Sequence, residues 1–180
     1  HNILNLLAAV CVARYLGMSE ENIRSGVAEF SGVNRRFTFL GQFKGVIFVD
    51  DYAHHPTEIR AVLKAAKQTA MGKVVAIHQP HRFSRLANLF EEFIECFEDA
   101  DVVGITPVFA AGEEAIAGVT SKNLISRISK RHNKVVRKIK NEEVLEDFVI
   151  KNTEPNDLVI FMGAGSISTW ANNMMERLIK

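Results

Sequence analysis

"GVIFVDDYAHHPTEIRAVLKAA" (residues 45–66) runs from an apolar stretch, through a titratable cluster, into a helical pattern. "GVIFVDDY" reads as a strand, paired with "RFTFLGQF" in a hairpin that turns near Gly41–Gly45. "PTEIRAVLKAAKQTA" reads as a helix opened by Pro56, with Ile59, Val62, Leu63 and Ala66 on one face. The same succession then repeats. "KVVAIHQP" is a strand and "RFSRLANLFEEFIECFED" one helix, with Leu86, Leu89, Phe90, Phe93 and Phe97 in register. "ADVVGITPV" (strand), a loop over 109–119, and "TSKNLISRISKRH" (helix, capped by Thr120 or Ser121) follow. "NKVVRKI", "NEEVLEDFVIKN", "NDLVIFMGAG" and "SISTWANNMMERLIK" continue the alternation to the end. Short apolar strands separated by amphipathic helices imply an α/β fold, with a mostly parallel sheet covered on both faces.

Residues 1–33 read differently. "HNILNLLAAVCVARYLG" has apolar residues at 3, 4, 6, 7, 10, 12 and 16 and a stop at Gly17. "SEENIRSGVAEF" is a second short helix, with Ser19 as cap and Glu20 and Glu21 in its first turn. "SGVNRR" reads as a linker. The chain opens on His1, inside a helix already in progress, so the expectation is a piece of a longer protein.

Ligands of an open parallel sheet gather beyond the carboxyl ends of its strands. "DDYAHHP" and "HQPHR" both fall there, and the expectation is that consecutive strand ends join them into one crevice. Taken singly, Asp50 and Asp51 also fit a strand end with a helix cap, and His54 and His55 a helix entry. Arg82 and Arg85 lie at a helix N-terminus, where cations oppose the macrodipole unless an anion is bound. "GAGSIS" (163–168) is a strand-to-helix turn that could hold phosphate, a weak signal by itself. No GxxxxGK[ST] loop occurs in these 180 residues, which disfavours a self-contained nucleotide hydrolase.

A formal net charge of +1 gives no reason to expect nucleic acid or membrane as the main partner. Cys11 and Cys96 share no metal-type spacing, and a reducing, cytoplasmic setting is expected. No apolar stretch is long enough for a bilayer-spanning helix.

"HNILNLLAA", "GVNRRF", "DDYAHHPTEI", "QPHRFSR", "AAGE" and "MGAG" together resemble, in order and spacing, the Mur ligases of peptidoglycan synthesis. Within that family the likeness is to the branch that joins L-alanine to UDP-N-acetylmuramate. The branch that recycles muropeptide by adding a tripeptide has Phe at the position of Tyr52 and a different second motif. The resemblance implies that 1–33 are the last helices of a central ATP-binding domain plus linker, and 34–180 a Rossmann-like three-layer C-terminal domain. It implies ATP and Mg2+ as cofactors, with most magnesium ligands in the other domains, and an acyl-phosphate intermediate. Alone, such a piece is expected to be inactive. By position, Asn2 and Asn5 would face the nucleotide base, Arg36 the ATP phosphates and Asp51 the ribose. Tyr52, His54, His81, Arg82 and Arg85 would line the side facing the muramyl carboxylate and alanine; Arg36, His54 and Arg82 are the catalytic candidates. Ser166 stands where relatives carry an acidic or amide residue. Without the resemblance, a metal-dependent phosphoesterase built on Asp50, Asp51, His54, His55 and His81, or a non-catalytic binding domain, would come next.

Overall fold

A computed structural model describes the backbone of residues 2–30 and 32–179, and the side chains of 3–30 and 32–179. Contacts divide the chain into two compact units, His1–Val33 and Asn34–Lys180. The first holds α1 (Asn2–Tyr15) and α2 (Glu20–Glu29). Gly17, at φ 76°, ends α1 in the left-handed conformation that suits glycine, and the amides of Gly17 and Met18 return to the carbonyls of Arg14 and Ala13. Ser19 caps α2 by accepting from the Asn22 amide at 3.2 Å.

The second unit is a six-stranded sheet in the order β1-β2-β6-β3-β4-β5. The strands are β1 (Thr38–Phe43), β2 (Val46–Asp51), β3 (Val74–His78), β4 (Val102–Ile105), β5 (Val135–Lys138) and β6 (Leu158–Met162). β1 is antiparallel to β2 and every other pairing is parallel. The hairpin turns on Lys44 and Gly45, both at positive φ (48° and 81°), as a tight two-residue turn requires. Gly41 lies within β1, at a register shift, and not in the turn.

β3 and β6 are buried along their whole length and β2 nearly so, which is why they read as continuous apolar runs. One face carries α3 (Pro56–Thr69), α4 (Phe83–Asn88), α5 (Phe90–Glu95) and α6 (Ser121–His132), packed through Ile59, Leu63, Leu86, Phe93 and Leu124. The other carries α7 (Glu142–Asn152) and α8 (Ile167–Ile179), through Leu145, Phe148, Ala171 and Met174.

Two expectations are corrected. The single helix expected over 82–99 is two short helices that break at Leu89 (φ −120°, ψ 28°), which closes α4 and opens α5. β2 and β3 are consecutive in the chain but not neighbours in the sheet, because β6 lies between them and pairs with both.

Candidate functional site

That insertion places "GAGSIS" at the centre of the crevice, flanked by the two titratable clusters. The turn is braced by the neighbouring strand end. Gln79, 3% exposed, accepts from the Ile167 amide (3.2 Å) and donates to Ser166 Oγ (3.1 Å), so it caps α8 from the neighbouring strand end. A Cβ at Gly165 would meet Gln79 Oε1 at 2.4 Å and Phe109 Cγ at 2.6 Å. The Cβ side of Gly165 is therefore filled by protein, while Ala164, Gly165 and Ser166 remain half-buried. Ser166 is a partner of Gln79, and Ser168 donates to both oxygens of Asp50 (2.8 and 2.6 Å).

Asp50 and Asp51, 2% and 3% exposed, form the floor. The guanidinium of Arg35 lies 3.4 Å from Asp50, donates to the Gly163 carbonyl and sits 4.9 Å over the Tyr52 ring. Asp51, expected to face a ribose, already accepts from the amides of Phe37 and Ala53 (2.8 Å each). Burial raises its pKa against the pull of those two amides and of Arg36. The two aspartates thus pin the bend at 35–37 to the end of β2, and Arg36 projects from that bend as an exposed cation.

Above this floor the two clusters meet. The rings of His54 and His81 are 6.0 Å apart, and Tyr52 stands edge-on to His54 at 5.0 Å. His54 Nδ1 lies 2.9 Å from the Tyr52 carbonyl and 3.5 Å from Glu58 Oε2. His81 stacks on Phe109 (5.4 Å, 11°), and Arg85 Nη1 reaches its Nδ1 at 3.2 Å and its carbonyl at 3.1 Å. Burial, then the charges of Arg85, His54 and Arg82, hold His81 below its usual pKa. His78, one strand end deeper, is fully buried and pushed down to about 3 by desolvation, so it is neutral.

The unfavourable placement of Arg82 has an internal answer. Glu113, from the 109–119 loop, accepts from the Ser84 amide (2.9 Å) and hydroxyl (2.6 Å) and lies 4.0 Å from Arg82. Those Ser84 bonds hold the Glu113 carboxyl below its usual pKa. The anion that balances the start of α4 is thus a side chain of this chain, and charge placement no longer argues for a bound ligand.

Of the other expected site residues, Asn5 is exposed on α1 in the first unit, and the side chain of Asn2 lies outside the described residues. His55 caps α3 by accepting from the Thr57 amide, while Glu58 accepts from the amides of His54 and His55. Among the described residues no three or more His, Cys, Asp or Glu side chains come together as metal ligands. Asp50, Asp51 and His55 are spent on Ser168, on backbone amides and on a helix cap, which removes the basis for the phosphoesterase alternative. Arg35, Glu58, Gln79, Phe109 and Glu113 were not singled out from sequence. Glu58 carried a local signal, since it stands three residues after His55 at a helix start, while Arg35, Gln79 and Glu113 lie inside the quoted "GVNRRF", "QPHRFSR" and "AAGE" stretches.

The family model described as the Mur ligase, glutamate ligase domain matches residues 35–165. The chain belongs to the Mur ligase family. Among curated Mur ligases, it is 51% identical to UDP-N-acetylmuramate–L-alanine ligase of Dinoroseobacter shibae and 52% identical to that of Ruegeria pomeroyi, over 99% of its own length in each case. It spans 38% of the length of those relatives. Among solved structures, UDP-N-acetylmuramate–alanine ligase of Thermotoga maritima matches 98% of this chain and 37% of that one, at 29% identity and a TM-score of 0.76. A murein peptide ligase from Psychrobacter arcticus, at 19% identity, shares the fold with a TM-score of 0.72.

Proposed function

We propose that the chain is the C-terminal part of an ATP-dependent ligase that joins L-alanine to UDP-N-acetylmuramate in the cytoplasm. The observation that carries this reading is the identity of about 51% to ligases of that name along 99% of the chain. The site supports it. A carboxylate has to be held while an amine stays free to attack, and Arg82 and Arg85 supply planar guanidinium forks beside His54, His81 and Tyr52. Arg36, exposed at the edge, is suited to the charge of a transferred phosphoryl group. Asn5 and Asn2 are assigned to the nucleotide base. Asp51 acts here as the anchor of the bend that presents Arg36, because its oxygens are engaged by Phe37 and Ala53.

The reaction has two stages. ATP converts the muramyl carboxylate to an acyl phosphate, and the alanine amine displaces phosphate to leave an amide. The magnesium that accompanies ATP has no ligand cluster among the described residues, so its ligands are assigned to the other domains and no step of this part runs through it. The test joins the upstream sequence to this chain and follows phosphate release. Release that depends on both L-alanine and UDP-N-acetylmuramate is expected from the longer protein and not from residues 1–180 alone. Release that depends on a tripeptide but not on alanine would assign the chain to the recycling branch. ATP turnover by the 180-residue chain itself would overturn the division of labour between domains.

A further inference from the structure

The hydrogen-bond partners of two histidines dictate where their protons sit. His54 Nδ1 faces the Tyr52 carbonyl (2.9 Å) and Glu58 Oε2 (3.5 Å), groups that only accept. In the neutral ring, Nδ1 therefore carries the hydrogen and Nε2 is a bare lone pair. His81 Nδ1 faces Arg85 Nη1 (3.2 Å), a group that only donates. Its Nδ1 must accept, and Nε2 carries the hydrogen. The rings stand 6.0 Å apart, and the Phe109 stack fixes the plane of His81.

We propose that His54 and His81 form an acceptor–donor pair in opposite tautomers, that Nε2 of His54 is the base for an incoming amine, and that Glu58 and Arg85 are the positioning residues that set the pair. The amine's identity rests on the ligase reading. Alanine arrives as an ammonium, whose nitrogen has no lone pair to attack with. One proton passes to His54 Nε2, the freed pair forms the C–N bond to the acyl carbon, and a tetrahedral centre results. The C–O bond to phosphate then breaks, its electron pair leaves with phosphate, and the second nitrogen proton departs with that leaving group. The His81 Nε2–H has no lone pair to compete for the ammonium proton and is free to donate to the developing oxyanion.

Glu58 is suited to its part. Burial works to raise its pKa, but the amides of His54 and His55 and the charge of Arg36 work against it and hold it below its usual range, so the carboxylate stays ionised. The titratable and charged groups around His54 are Glu58 on α3, His78 and His81 from the end of β3, and Tyr52 on its own loop. Those acting on His81 are Arg82 and Arg85 on the α4 side, His54, and Glu113 from the 109–119 loop.

Imidazole nitrogen NMR on the 180-residue chain at neutral pH decides the pair. His54 should show a protonated Nδ1 and bare Nε2, and His81 the reverse. The same tautomer in both rings would overturn the proposal, whatever reaction the longer protein performs. In the joined ligase, His54→Gln should lower kcat for amide formation on the order of a hundredfold or more. Glu58→Gln keeps the helix cap and should lower it on the order of tenfold. The His54→Gln defect should shrink as rising pH deprotonates alanine in solution. A defect of constant size across pH would remove the base role. If the joined protein makes no amide at all, the ligase reading falls, and the spectra still decide the tautomer pair.

Discussion

Arg35 and Arg36 are adjacent and chemically identical, yet the backbone gives them opposite duties. Arg35 (φ 61°) and Phe37 (φ 50°) both occupy the left-handed region, which costs a non-glycine residue about 1–3 kcal/mol. Asp51 on the Phe37 amide, the Tyr52 amide on the Arg35 carbonyl, and the Arg35 guanidinium beside Asp50 offset that strain. The result turns Arg35 inward and Arg36 outward, and nothing in the letters "NRRF" distinguishes them. His78 yields a measurable consequence. Well above pH 6.5 its ring is neutral in folded and unfolded chains alike, and it makes no difference to stability. As pH falls below 6.5 the unfolded chain takes a proton that the buried ring refuses until about pH 3. Stability should therefore drop with falling pH by up to about 1.4 kcal/mol per unit across that window. His81 pulls the same way, and Asp51, raised by burial, pulls the opposite way in the carboxylate range. Urea denaturation between pH 7.5 and 5 should show a shallower pH dependence in His78→Gln, by close to one proton. An unchanged slope would mean that the ring protonates in place.

At the scale of elements, local pattern and long-range topology part company. The strands, the helices and the caps at Ser19 and Thr120 were legible because each depends on periodicity or on a side chain within a few residues. The meeting of the "DDYAHHP" and "HQPHR" clusters was legible too, since residues beyond parallel strand ends share one edge of the sheet. The placement of β6 between β2 and β3 was not, because strand order depends on which helices cover which face. With it went the importance of Gln79, Ser168 and the "GAGSIS" turn, whose partners are 87 to 118 residues away. The break at Leu89 carries neither glycine nor proline, so the helical periodicity reads straight through it. The packed turn gives its own prediction. Gly165 needs no unusual φ, so its constraint is one of space: a methyl group would enter Gln79 and Phe109. Gly165→Ala should destabilise the domain by about 1–3 kcal/mol, as overpacking does. Because Phe109 also carries His81, the His81 ring resonances should shift in the same variant. Wild-type stability with unmoved resonances would show that the turn has slack.

Across the whole molecule, the two units differ in how their apolar residues are used. Asn34–Lys180 buries two cores, one on each face of the sheet, and its central strands are sealed. In His1–Val33, α1 is apolar around its circumference, yet Ile3 is 75% exposed and Leu4 70%, and α2 has no buried residue. A helix apolar on every side is built to be covered, and helices of 14 and 10 residues are marginal when little is packed against them. Their local stability should then lie far below that of the sheet, even though Ser19, Gly17 and the Arg14–Glu20 ion pair close their ends well. Hydrogen exchange on the 180-residue chain should show the amides of α1 and α2 exchanging orders of magnitude faster than those of β2, β6 and β3. In the joined ligase the α1 amides should slow, because the rest of the protein supplies the surfaces that an all-round apolar helix requires. Amides of α1 as slow as the sheet in the short chain would show that the first unit is stable by its own packing, and would count against its assignment to another domain.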